Sequence, residues 1–201
     1  MFTLIEAAGW PIYLLLIASI IAAALIIERT IYLRSKKIVP PSLLDDVVQE
    51  LKQRGVSQQM LTRLTEGSPL GKVFAAGLKN IKSAPEVMKE SIEEAGRGAS
   101  HDLDRFLTTL GTIASISPLL GLFGTVIGMI EIFGSQNAGG AAPAELAHGI
   151  SVALYNTAYG LIVAVPSMIA YRHFRAQVES LTIEMEQQAI KLVEIVHGER
   201  K

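Results

Sequence analysis

Phe106–Ile130, FLTTLGTIASISPLLGLFGTVIGMI, runs for 25 residues without an Asp, Glu, Lys, Arg or His. A helix needs about 20 apolar residues to cross the roughly 30 Å of bilayer hydrocarbon, so this stretch is long enough to span it. Backbone amides in lipid must be paired within the segment, and a membrane barrel would show short alternating strands instead of a continuous apolar run. The stretch therefore reads as a transmembrane helix. Two more uncharged stretches flank it, Ala7–Ile27 and Ile150–Tyr171. The predicted fold class is an all-α membrane protein with three transmembrane helices.

The distribution of charge orients these spans. All 18 lysines and arginines lie between Arg29 and Arg105 or after Tyr171, and none lies in Met1–Glu28 or Glu131–Tyr171. Cytoplasmic segments retain Lys and Arg, which predicts an outward N-terminus, an outward loop and a cytoplasmic C-terminus. The chain then divides into an outward N-terminus with the first span (1–33), a cytoplasmic helical loop (34–105) and the second span (106–133). An outward loop (134–149), the third span (150–171) and a cytoplasmic C-terminal helix (172–201) follow.

The first apolar run has no basic region ahead of it and ends on Glu28-Arg29 without a small-residue cleavage site. It does not read as a secretory signal, and is expected to stay in the mature protein. Trp10, Tyr13 and Tyr32 stand near its ends, where aromatic rings with polar tips either anchor a helix at the interface or simply pack.

Half of the residues are hydrophobic and 18% are charged, with the charge almost wholly outside the spans. A net charge of −1 points to no class of partner. The chain has no cysteine, which excludes a disulfide framework, thiolate catalysis and Cys-ligated metal and fits a protein whose bulk lies in a reducing compartment.

The segment from Arg34 to Arg105 holds 12 basic groups in about 70 residues, small for an independent enzyme domain but enough for several short helices. Leu43, Leu44, Val47, Val48 and Leu51 form one apolar stripe, and Leu70, Val73, Phe74, Gly77, Leu78 and Ile81 another, at helical spacing. Pro40-Pro41 and Gly67-Ser68-Pro69 punctuate them. Such stripes seek packing partners.

From Pro85 to Phe133 proline recurs only at Pro118, which predicts one continuous helix whose first half projects into the cytoplasm. The third span is expected to project likewise. Val178, Leu181, Met185, Ala189, Leu192 and Val196 keep helical spacing beyond it, a stripe for packing within the subunit or between identical copies.

The second span carries Gly111, Ala114, Ser117, Gly121, Gly124, Thr125 and Gly128, and the third Gly149, Ala153, Thr157, Gly160, Ala164 and Ser167. Faces of small residues let helix backbones approach closely in lipid, where burying a large side chain gains little. Thr125, Asn156 and Thr157 are polar groups inside these spans. They either converge between helices or, for the threonines, bond the carbonyl four residues earlier. Pro118 and Pro166 lie inside the spans, as helix bends that shape a cavity or as packing accommodations.

The segments Ser117–Gly128, SPLLGLFGTVIG, and Gly149–Leu161, GISVALYNTAYGL, resemble the MotA/TolQ/ExbB proton-channel family, with the ExbB branch nearest. The resemblance covers the three-span layout, the large cytoplasmic loop and both motif helices, from about Arg34 onward. It implies a subunit of a bacterial inner-membrane motor, a homopentamer enclosing single-span helices of an ExbD-like or TolR-like partner. That motor draws on the proton gradient and delivers work to a TonB-like or TolA-like protein, for TonB-dependent transport or envelope maintenance. By the same resemblance Thr125 and Thr157 face the partner helix and its ionisable aspartate. Gly121, Gly124, Gly128, Ala153, Asn156 and Gly160 belong to the implied pore-facing or partner-facing set.

Two departures qualify this. Well-known ExbB and TolQ members carry a glutamate in a Gly-Ile-Ala-Glu-Ala-Leu segment where this chain has Val152, so a relay role for that glutamate does not carry over. The stretch before the first span is also shorter than the outward extension of some ExbB proteins.

The residues and the resemblance meet at an absence: neither motif span holds an ionisable Asp, Glu, Lys, Arg or His. Threonine carries no charge near neutral pH, so the chain alone should conduct protons poorly and a partner should donate the carboxylate. A passive scaffold that only stabilises the partner is the competing reading. Glu28, Glu131 and Glu145 fall near the interfaces, where a carboxylate escapes most of the cost of burial and needs no special purpose. His101, His148, His173 and His197 lie outside the motif cores without metal-ligand spacing. Gly67–Val73 is one residue short of a phosphate loop between its glycines and lacks the following Ser or Thr, so it reads as a turn. No enzyme motif, cofactor site or basic nucleic-acid patch appears, and lipid is the expected surroundings of the spans.

Overall fold

The computed structural model describes residues 9–134 and 143–198, apart from the side chains of Pro143 and Glu145. The expected outward N-terminus therefore lies outside the described residues over 1–8, and the outward loop over 135–142, as does the Glu145 carboxylate. Among the described residues there are eight helices and no strand: α1 Pro11–Tyr32, α2 Ser35–Ile38, α3 Leu43–Arg54, α4 Gln58–Gly67, α5 Pro69–Lys79, α6 Pro85–Asp104, α7 Leu107–Gly134 and α8 Pro143–Val196. Three stretches, carried by α1, α7 and α8, are long and apolar enough to cross a membrane. The molecule is all-helical with three candidate spans.

Two compact units divide the chain. Unit 1 gathers the described residues of Met1–Arg29 and Phe106–His173, and unit 2 those of Thr30–Arg105 and Phe174–Lys201.

Unit 2 grows from the apolar stripes. Phe74 of α5 is fully buried, and Leu70, Val73 and Leu78 on the same face, Leu61 and Leu64 of α4, and Met88 and Ile92 of α6 are buried around it. Gly77 admits α6 closely, since a Cβ there would lie 2.7 Å from Ile92 Cδ1 and Cγ1. The stripe Val178, Leu181, Met185, Ala189 and Leu192 of α8 is buried too. Polar pairs tie α8 to α6: Thr182 Oγ1 donates to Ser100 Oγ at 3.3 Å, and Arg175 bonds Asp104 at 3.2 Å. Gln177 donates to the Leu33 carbonyl at 2.6 Å. Thus the C-terminal stripe packs within the subunit.

The Gly67-Ser68-Pro69 joint is a helix N-cap. Ser68 is extended, its Oγ accepts the Gly71 N–H at 3.0 Å, and Pro69 takes the first helical position, where no N–H is needed. Gly71 lets the Leu64 carbonyl of α4 sit against the backbone, where a Cβ would clash. The would-be phosphate loop is spent on joining α4 to α5. Ser68→Ala should remove about 1 kcal/mol of cap energy. Hydrogen exchange of the first amides of α5, in the detergent-solubilised chain, should then quicken about fivefold.

One expectation fails. The chain from Pro85 to Phe133 is not one helix: α6 ends at Asp104, and α7 starts at Leu107. Phe106 stands between them with φ +64°, in the left-handed region that a bulky residue enters only when its surroundings impose it. The Phe106 carbonyl then accepts the Leu110 N–H at 3.0 Å and restarts the helix. A tertiary contact helps to hold the break. Arg29, 3% exposed in the last turn of α1, places its guanidinium 5.4 Å from the Phe106 ring centroid. A buried guanidinium requires a partner, and Glu28 supplies one in a bidentate pair at 2.5 and 2.8 Å.

Candidate functional site

In unit 1 the small-residue face of α7 meets α8. Leu107, Leu110, Ala114, Ser117, Gly121 and Gly124 are the buried residues of α7. They recur at alternating steps of three and four residues, the spacing of one helical face. Leu119, Leu122, Phe123, Val126 and Ile130 are exposed, so the bulky side chains point away from the contact and the glycines point into it. Helices in lipid associate through such close approach.

The approach is closest around Gly121 and Gly160. A Cβ on Gly121 would lie 2.7 Å from the Asn156 carbonyl oxygen and 2.9 Å from Thr157 Cα. One on Gly160 would lie 2.6 Å from the Ser117 carbonyl oxygen and 3.1 Å from Gly121 Cα. Backbone therefore touches backbone. Gly124 leaves room for the wholly buried Asn156, whose Cγ would lie 2.7 Å from a Cβ there. Gly128 faces Ala153, with its hypothetical Cβ 3.0 Å from the Ala153 Cβ.

This contact sets a polar pair. Thr125 Oγ1 and Thr157 Oγ1 are 2.5 Å apart, and Thr125 Oγ1 also lies 3.2 Å from the Gly121 carbonyl oxygen and 3.4 Å from that of Ala153. Each hydroxyl has one proton and two lone pairs. If Thr157 donates to Thr125, the Thr125 proton turns to a carbonyl; if Thr125 donates, the Thr157 proton is released to point elsewhere. The pair is thus a short hydrogen-bonded chain with two orientations. Both alternatives open in the sequence hold at once for Thr125, which bonds the carbonyl four residues back and also reaches the other helix.

The structure brings Thr125, Asn156, Thr157, Gly121, Gly124, Gly128, Ala153 and Gly160 together in one helix contact. Asn156, Gly121, Gly124, Ala153 and Gly160 are buried inside it, while both threonines and Gly128 keep partial exposure. Pro118 and Pro166 lie within α7 and α8, which continue through them. The buried Ser117 and Ser167 beside them bond carbonyls four residues back, at 2.7 Å each. In the sequence Ser117 is one of the small residues of its face; in the fold its carbonyl is the surface against which Gly160 rests.

A family model described as the MotA/TolQ/ExbB proton channel family matches residues 65–187. The chain belongs to this family. The MotA/TolQ/ExbB match covers α5 to most of α8, and so contains the whole threonine contact. Among relatives, the ExbB-like 3 biopolymer transport protein of Synechocystis sp. is 30% identical over 161 residues, 79% of this chain and 77% of its own length. The Tol-Pal system protein TolQ of Pseudomonas aeruginosa is 30% identical over 198 residues, 90% of this chain and 85% of its own. Biopolymer transport protein exbB1 of Vibrio cholerae is 32% identical over 167 residues, covering 80% and 71%. The chain is thus a membrane protein of a proton-channel family with relatives of both ExbB and TolQ name.

Proposed function

We propose that this chain is the channel-building subunit of a bacterial inner-membrane motor driven by the proton gradient. Its N-terminus faces outward and its C-terminus the cytoplasm, and five copies enclose the single-span helices of an ExbD-like partner. A TonB-like protein receives the work and energises transport across the outer membrane. The observation that carries this reading is the Thr125–Thr157 pair at 2.5 Å, set in a glycine-lined contact between Phe106–Ile130 and Ile150–Tyr171, two stretches that hold no Asp, Glu, Lys, Arg or His. Two hydroxyls orient and relay a proton but do not hold a charge near neutral pH, so the titrating carboxylate belongs to the partner.

A second reading is supported by the TolQ relative, which aligns with 90% of the chain. The partner is then TolR-like, the load TolA-like and the work envelope maintenance. Which of the two partner types co-purifies with the chain decides between them.

The test uses liposomes holding the chain alone, the chain with its co-expressed partner, and that complex with the partner's membrane aspartate neutralised. Aspartate-dependent proton flux is expected only in the second preparation. Flux through the chain alone would sink the shared-path reading, and silence in all three folded preparations would favour a scaffold.

A further inference from the structure

At the end of the α7–α8 contact remote from Arg105, unit 1 holds a cavity of about 440 Å³. Ile127 and Gly128 of α7 and Val152 and Ala153 of α8 line it, together with Glu131 and His148, one from each helix. Pro11 of α1 and Gly9 just before it also line the cavity, neither of them ionisable, so Glu131 and His148 are the charged or titratable groups of its lining among the described residues. Both are exposed. The volume has room for on the order of ten waters.

Two lining residues of this cavity, Gly128 and Ala153, adjoin the threonine pair. Ala153 lends its carbonyl to Thr125 Oγ1 at 3.4 Å, and Gly128 lies one turn from Thr125 on α7. A carboxylate at the mouth of an apolar-walled cleft focuses the field and raises the local concentration of cations. The His148 imidazole, from the other helix, adds a second polar group to the same lining. Read singly, Glu131 and His148 are interfacial residues 17 positions apart; only the pairing of α7 with α8 puts them over one cavity.

We propose that Glu131 and His148 form the outer vestibule of the ion path, a water-filled, cation-collecting site that ends on the Gly128–Ala153 contact, beyond which Thr125 and Thr157 lie. This rests on the ion-path reading and on the outward orientation of this end. The vestibule supplies entry alone, and the mid-membrane carboxylate still comes from the partner.

The native chain has no cysteine, so a single thiol reports the site without interference. Val152→Cys, or Ile127→Cys should the first variant fail to fold, is expressed in intact spheroplasts and treated with membrane-impermeant methanethiosulfonates. The thiol is expected to react from outside, with the cationic reagent faster than the anionic one by about tenfold. Glu131→Gln should bring that ratio down several-fold. Absence of outside reaction at both thiols in folded chains overturns the proposal, as does a ratio indifferent to Glu131→Gln. Proton flux measured on the same variants reads the ion path separately. Lost flux with an intact labelling ratio would fault the path reading and leave the vestibule standing.

Discussion

Gly160→Leu and Gly121→Leu are expected to abolish accumulation of folded chain in the membrane. The first atom of any side chain at these positions already meets backbone: 2.6 Å from the Ser117 carbonyl oxygen for Gly160 and 2.7 Å from the Asn156 carbonyl oxygen for Gly121. Backbone has no rotamer to yield, so the helices must separate by several tenths of an ångström for a methyl and further for a branched chain. Gly160→Ala should therefore fold with an overpacking penalty of about 1–3 kcal/mol. In detergent its thermal midpoint should drop by about 2–4 °C for each kcal/mol. The contrast lies in unit 2, where a Cβ on Gly96 or Gly98 of α6 would meet nothing within 4 Å. Gly→Ala at those helical positions should leave the fold intact and raise stability by about 0.5–1 kcal/mol each. Membrane-fraction yield and thermal midpoint check both sides; equal tolerance at Gly160 and Gly96 would sink the close-approach account.

Much of this architecture is legible from the residues, for identifiable reasons. Uncharged runs of bilayer length can only be helices, and the stripe through Leu70, Phe74 and Leu78 announces a buried helical face because burial follows the helical period. The small-residue faces announce close approach as well, although spacing says nothing about which helix they meet; here α7 and α8 of one chain satisfy each other. The break at Arg105-Phe106 carries no turn signature, no Gly, Pro or Asn. Its distinguishing contact is with Arg29, 77 positions earlier. Arg29 itself looks like one more cytoplasmic charge until the structure shows it 3% exposed, bound to Glu28. Local pattern thus reports periodicity and length faithfully. Contacts between distant segments, the Glu131–His148 cavity included, require the assembled helices.

Thr125→Val and Thr157→Val are each expected to abolish proton-driven output while the chain still assembles with its partner. Hydrogen bonds between membrane helices contribute on average about 0.6 kcal/mol, with a maximum near 1.7 kcal/mol. Valine is close to threonine in volume, so the surrounding glycine contact, made of backbone and methyl groups, keeps its shape. A loss of that size slows or weakens assembly only slightly, whereas a hydroxyl chain interrupted at either member passes no proton. The two roles therefore separate by magnitude: packing predicts a mild change in stability and near-normal output, and the ion path predicts normal assembly with output reduced to background. Thr→Ser at the same positions restores the hydroxyl and removes only a methyl, so output should return in large part even though packing is poorer than in the valine variants. Flux in liposomes and co-purification with the partner are the paired readouts. Output retained in both valine variants, with serine no better than valine, would leave the pair as packing and remove the threonines from the ion path.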